Sequence, residues 1–338
     1  MKSFYLAFYV SATWISRVSS IPTPGEGGSV LKTIHQFPNY TWIENMAIRS
    51  NGQILANDLS SGQIYLVNPQ EYQVAPPVIA QFPNGTAITG IAEIEEDVFY
   101  TQSVQGNAYE VKFVPNTTVI WEVDIRGYRK GGQASLRKVV EIPAANLPNG
   151  MTLLNKQDGT ILIADSVLGV VWRVNVYTGA YEIVLDDSLL KPVPGSTFLF
   201  GVNGVHVVDD ILYFSNTNQA ILAKVPISRN GLPTGPIVTI TKSVPAADDF
   251  TVDRSGNIWL AENVENTFVR VSTDGQVQTI VGGVNSTALI GPVATAFGRG
   301  RDDRDILYIS TDGLTENSNG MILTSNGKIA SIDTNCWR

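Results

Sequence analysis

The chain has 338 residues, 31 acidic against 23 basic side chains and a formal net charge of −8. That acidity argues against nucleic acid or an anionic membrane surface as partner. A composition of 43% hydrophobic and 16% charged residues, with 30 Gly and 17 Pro, is globular and rich in turns, and no segment shows heptads or a helical-domain pattern. Cys336 is the single cysteine, which excludes a disulfide framework and every cysteine-ligated metal.

At the N-terminus Lys2 precedes the apolar run Phe4–Val10, and Ser19-Ser20 offers small residues for cleavage. This predicts a secretory signal peptide over residues 1–20, too short for the ~20 apolar residues of a membrane span. Residues 21–28 (IPTPGEGG) form a flexible lead-in, and residues 29–338 form one domain. Four sequons at Asn39, Asn84, Asn116 and Asn285 suit glycosylation and a secreted or secretory-pathway protein. No feature sets an oligomeric state.

Ser29–Phe37 alternates as a strand that should pair with the last repeat and close the chain on itself. From there a short apolar strand recurs six times: ENMAI, TGIAE, NGMTL, NGVHV, DDFTV and GPVAT. Each is followed by a Gly-, Asn- or Asp-rich turn and a second strand, such as GQILAND or GTILIAD. Six such units at a period of tens of residues predict an all-β, six-bladed β-propeller with a central-channel site.

Third strands are expected at 62–67, 169–174, 220–225, 266–271 and 327–332. The second repeat is irregular, with strands expected at AYEVKF and VIWEVDI and a solvated basic hairpin at RGYRKGGQASLRK. An insertion at 191–201 (KPVPGSTFLFG) precedes the fourth inner strand, so Phe198 and Phe200 either roof the channel or pack between blades.

The inner strands should begin at the channel, placing Glu44, Thr89, Asn149, Asn203, Asp248 and Gly291 in one ring. Four of these carry oxygen ligands, all toward one side. Such a set suits a hard divalent cation, Ca²⁺ or Mg²⁺, rather than zinc. A carboxylate there also serves as general acid or base. The Asn-Gly and Asp-Asp pairs equally fit turn chemistry, but Glu44 has no such role. His206, three residues into its strand, reads as interblade packing. No nucleophile elbow, phosphate loop or dinucleotide fingerprint is present.

At these residues the chain resembles the superfamily of senescence marker protein, gluconolactonase and luciferin-regenerating enzyme. The resemblance implies a metal held by Glu44, Asn203 and Asp248, with Asn149 helping to place substrate or water and Asp248 as general base. It departs at Leu147, where the sugar-lactone hydrolases carry an Arg. With Trp42, Phe198 and Phe200, this predicts an apolar mouth for hydrophobic small molecules.

The segments WIENMAIRSNGQIL, NGMTLL, GVNGVHV and NSTALIGPVATAFGR are similar to a fungal branch of these propellers. Members of that branch with a role are hetero-Diels-Alderases of tropolone-sesquiterpenoid biosynthesis, joining a tropolone o-quinone methide to a humulene-type olefin. The resemblance therefore implies a pericyclase needing no cofactor. In it Glu44 and Asp248 would be catalytic, and Trp42, Leu147, Asn149, Phe198, Phe200 and Asn203 would bind substrate. A divalent-metal lactonase and a non-catalytic binding propeller are the alternatives.

Overall fold

The computed structural model describes residues 31–316 and 322–337; the expected signal peptide and lead-in lie outside them. The repeats become six antiparallel sheets, each led by an inner strand: Ile43–Ile48, Thr86–Glu95, Pro148–Asn155, Val202–Val208, Ala247–Val252 and Pro292–Phe297. Each inner strand packs on the inner strands of the two neighbouring blades, and the first packs on the sixth, so the ring is closed. We call the end where inner strands begin the upper face.

Closure is made at the sixth sheet. Its spatial order runs Leu31–Gln36, Lys328–Asp333, Ile306–Thr311, Pro292–Phe297, so the first strand of the domain is the outermost strand of the last blade. Apolar faces of adjacent blades meet in six separate cores. Leu55 and Ile64 against Ile88 and Phe99 join blades one and two, and Trp259 and Phe268 against Leu307 and Ile309 join five and six. A seventh apolar cluster, with Leu59, Ala87, Val104, Ala108 and Leu147 at its centre, lies at the upper mouth.

Three expectations need correction. AYEVKF is not one strand. Asn107 Oδ1 accepts the backbone N–H groups of Tyr109 and Glu110, which winds Ala108–Glu110 into a 3₁₀ turn. Only Lys112–Phe113 remains a strand, paired to the end of the second strand. The basic stretch that follows is only partly a turn: Ser135–Glu141 is the outermost strand of blade two. Two of its arginines are paired, Arg126 with Asp124 and Arg137 with Glu122.

The third correction concerns the ring. Met46, Ile91, Met151, Val205, Phe250 and Thr295 share one register, opposite Ala56, Thr101, Ile163, Phe214, Leu260 and Ile309. Glu44, Thr89, Asn149, Asn203 and Asp248 each lie two residues earlier, but in blade six that place belongs to Val293. Gly291 sits before the strand at φ +56°, and a Cβ on it would lie 1.7 Å from Asp312 Oδ1. The glycine thus makes room for a carboxylate from the neighbouring turn.

Candidate active site at the upper mouth

A cavity of about 740 Å³ opens on the upper face. The structure brings all eight sequence-selected site residues to its lining: Trp42, Glu44, Leu147, Asn149, Phe198, Phe200, Asn203 and Asp248. Thr89 joins them, whereas Gly291 and Val293 are absent from the wall. Of the two positions offered for Phe198 and Phe200, the cavity wall is the one occupied. Their rings lie 6.1 Å apart, and Phe198 is 49% exposed at the rim.

Hydrogen bonds from one blade to the next hold the ring residues in place. Thr89 Oγ1 donates to Pro148 O at 3.1 Å, Ser166 Oγ to Val202 O at 2.8 Å, and Thr217 Oγ1 to Ala247 O at 2.7 Å. The same hydroxyls receive the ring amides: Asn149 Nδ2 donates to Ser166 Oγ and Asn203 Nδ2 to Thr217 Oγ1. Ser166 and Thr217 follow the second strands of their blades, so motif reading had no reason to single them out.

The floor is acidic and dry. Glu44 is buried, and Trp42 Nε1 donates to its Oε2 at 2.7 Å. Burial pushes the Glu44 carboxyl up to about 8; the Trp42 hydrogen bond opposes this, while Asp312 and Asp249 add to it. Asp248 is raised well above the usual carboxylate range, first by burial and then by Glu44, with the Asn203 amide opposing. A group of carboxylates in one apolar site cannot all ionise, so a proton or a cation must balance them.

Asp312, which the sequence reading missed, is the third carboxylate near this floor. It accepts Leu314 N–H at 2.8 Å and Asn263 Nδ2 at 2.9 Å. With it present, charge is not confined to one side of the channel as the ring pattern implied. Above the floor the walls are apolar: Leu59, Ala108, Val111, Phe113 and Leu147. At the rim the rings of Tyr40 and Tyr109 meet edge to face at 6.1 Å.

Whether a cation fits can be judged from the donors. Asn203 Oδ1 is buried without a hydrogen-bond partner, in the same cavity lining as the Glu44 and Asp248 carboxyls. Glu44, Asn203 and Asp248 together form an oxygen donor set of the kind hard cations take. Among the described residues no three His, Cys, Asp or Glu side chains converge in metal-holding geometry, so the amide is indispensable to any such site.

One residue further along each strand, blades two, three and four carry Gly90, Gly150 and Gly204. A Cβ on Gly150 would lie 2.5 Å from Asn203 O, so the close approach of inner strands demands glycine there. Blades one and five carry Asn45 and Asp249 instead. Asn45 Nδ2 donates to Asp249 Oδ2 at 2.8 Å, and His206 Nε2 lies 2.8 Å from Asp249 Oδ1. His206 is therefore a member of a buried polar group and not mere interblade packing, although its ring also meets Phe250 edge on.

No family model matches the chain. A curated relative from Phoma sp, described as "Putative hetero-Diels-Alderase", is 27% identical over 348 residues, covering 93% of this chain and 96% of the relative. A second of the same description, from Sarocladium schorii, is 25% identical over 319 residues, covering 82% and 77%. The chain resembles the hetero-Diels-Alderase branch of the propeller superfamily. Names of these relatives point to an enzyme.

Solved structures agree on the fold. Luciferin-regenerating enzyme superposes with a TM-score of 0.63 at 12% identity, covering 90% of this chain and 95% of that one. A gluconolactonase from Xanthomonas campestris gives 0.59 at 16% identity, covering 90% and 89%. Among the described residues no helix is long and apolar enough to cross a membrane.

Proposed function

We infer that the upper cavity catalyses an intermolecular hetero-Diels-Alder reaction between an oxygen-containing diene and an apolar olefin. The observation that carries this reading is an apolar cavity of about 740 Å³ set on a buried acidic floor, in a chain whose relatives bear that name along most of their length. By resemblance the diene is a tropolone o-quinone methide and the olefin a humulene-type macrocycle, joined as a dihydropyran in fungal meroterpenoid biosynthesis.

The cycloaddition forms one C–O and one C–C bond with no net proton transfer, so the protein has chiefly to hold two partners in register. Such preorganisation contributes about 7–11 kcal/mol in favourable cases. Phe198, Phe200, Phe113 and Leu147 supply the apolar surface for the olefin. Glu44, held protonated by its burial and oriented by Trp42, donates to an oxygen of the diene. Where the quinone methide forms here from a hydroxymethyl precursor, Glu44 protonates the departing hydroxyl as the C–O bond breaks, and the precursor's ring O–H returns a proton to Glu44, so that water leaves and the acid is restored. Asn149 retains an N–H to offer a second oxygen.

The test is turnover of a hydroxymethyl tropolone with humulene by the purified protein. Stereoselective dihydropyran formed well above the uncatalysed rate, and lost in Glu44→Gln, is the expected result. A racemic product at the background rate, with or without protein, refutes the reading.

A divalent-metal lactone hydrolase is favoured by one observation, the unpartnered Asn203 Oδ1 in the same lining as Glu44 and Asp248. Glu44, Asn203 and Asp248 would hold the ion, which when bound supplies a Lewis acid for a carbonyl oxygen. Metal analysis and chelation separate the two: lactone opening abolished by a chelator, without cyclisation, selects the hydrolase. Leu147 stands against it, since a polar sugar acid leaves hydroxyls unpaired beside that side chain.

Secretion is part of the same reading. All four sequon asparagines are exposed, and an endoglycosidase-sensitive shift in gel mobility of the protein from its native host is expected.

A further inference from the structure

The lower face holds a second cavity, of about 860 Å³, which the proposed reaction does not use. Its size falls in the range of small-molecule pockets. The buried group of Asn45, Asp249 and His206 faces it, and Ile91 and Met151 supply part of an apolar wall. Arg254, Arg299 and Arg304, on turns of blades five and six, and Arg270, on the third strand of blade five, also line it.

The carboxylates around this cavity are already engaged. Asp249 accepts from Asn45 Nδ2 and from the Phe250 N–H, and faces His206. Asp253 accepts from Asn257 Nδ2 and Trp259 Nε1. Arg299 is paired with Glu93, and Arg304 lies 3.8 Å from Asp305. Arg254 and Arg270 make no ion pair among the described residues, and Arg270 Nε is buried with no hydrogen-bond partner. Arg270 is kept over the Trp259 ring at 5.8 Å. Two arginines without an ion pair among the described residues thus line one cavity in a chain of net charge −8.

His206 adds a second polar contact. Asp249 takes its Nε2, the side chain is 27% exposed, and Nδ1 has no protein partner among the described residues. A carboxylate-oriented imidazole of this kind presents a fixed nitrogen to whatever fills the cavity.

We propose that the lower mouth is a second small-molecule site, taking an anionic amphiphile with a carboxylate or sulfonate at Arg254 and Arg270 and a ring body against the apolar wall. Two guanidinium groups without partners favour an anion, and the apolar wall favours a body that water solvates poorly.

The probe is 8-anilino-1-naphthalenesulfonate, titrated by fluorescence into the full-length protein. Saturable binding is expected, weakened about tenfold in Arg254→Glu/Arg270→Gln, as for loss of a charge-assisted contact. The exposed Arg254→Glu alone, which leaves the core untouched, should weaken it about threefold and make it less sensitive to salt. Phe198→Ala, at the opposite mouth, should leave it unchanged. No saturable binding, indifference to the arginine changes, or loss of binding in Phe198→Ala would each overturn the proposal.

Discussion

The two mouths of this propeller are built from consecutive residues of the same strands, yet their chemistry is opposite. Glu44 and Asp248 line an apolar cavity whose burial favours their protonated forms; Asn45 and Asp249, one position along, join His206 in a hydrogen-bonded polar group. Strand alternation accounts for this, since successive side chains take different directions. One step along the strand is enough to give one channel an acid site above and a hydrogen-bonded polar group below.

The sharpest way to break the comparison is to remove the upper acid. Glu44→Gln should lower turnover about 10²–10⁴-fold, the usual worth of a general acid, whereas Arg254→Glu on the lower rim should leave turnover unchanged. Steady-state rates with both variants decide it, and equal losses would mean that the mouths do not work separately.

The polar group between them should matter for stability. Asp249→Ala leaves Asn45 Nδ2, the Phe250 N–H and His206 Nε2 without their acceptor, at a cost of about 3–5 kcal/mol in denaturant unfolding. A loss under about 1 kcal/mol would mean the group is incidental to the fold.

Glu262 offers a pH-dependent comparison away from either floor. It is buried at the end of the second strand of blade five, and burial followed by Glu265 pushes its carboxyl up to about 8. Its folded value is above its unfolded one, so the native state holds the extra proton. The stabilisation is complete below the unfolded value near 4.5 and declines as pH rises toward about 8. Glu262→Gln should therefore gain on the parent by about 3 kcal/mol between pH 5 and pH 8. Parallel stability curves would refute this.

Phe198→Ala is expected to act least. Its half-exposed ring at the rim contributes about 1 kcal/mol of olefin contact, which should raise KM about fivefold with little change in kcat. A large fall in kcat would instead give this rim a part in the chemistry.

The blades were legible because each repeats apolar strand, turn and strand, and because five ring residues keep one register, each within the bulge of its inner strand. Blade six was misread: GPVAT aligns by its glycine, but sheet pairing moves the ring position to Val293, two residues on. What fills the gap, Asp312, comes from a turn some twenty residues later, and no periodicity points there. The lower group had a signal that went unused. Three inner strands follow their ring residue with glycine, while Glu44-Asn45 and Asp248-Asp249 do not. At a place where backbones nearly touch, those two side chains had to reach into the channel and find each other. The engaged hydroxyls of Ser166 and Thr217 left no trace in the pattern, because each depends on a partner in another blade.

The order of strands in the sixth sheet sets a timetable for synthesis. Lys328–Asp333 lies between Leu31–Gln36, among the first residues of the domain to leave the ribosome, and Ile306–Thr311, among the last. Until Lys328–Asp333 has emerged the opening strand has nothing to pair with, and the circle stays open with bare edges on both sides. Those edges are the surfaces on which unfinished β proteins aggregate. The final strand therefore works as a keystone, and a nascent chain stalled shortly before residue 328 would hold most of its blades but no ring.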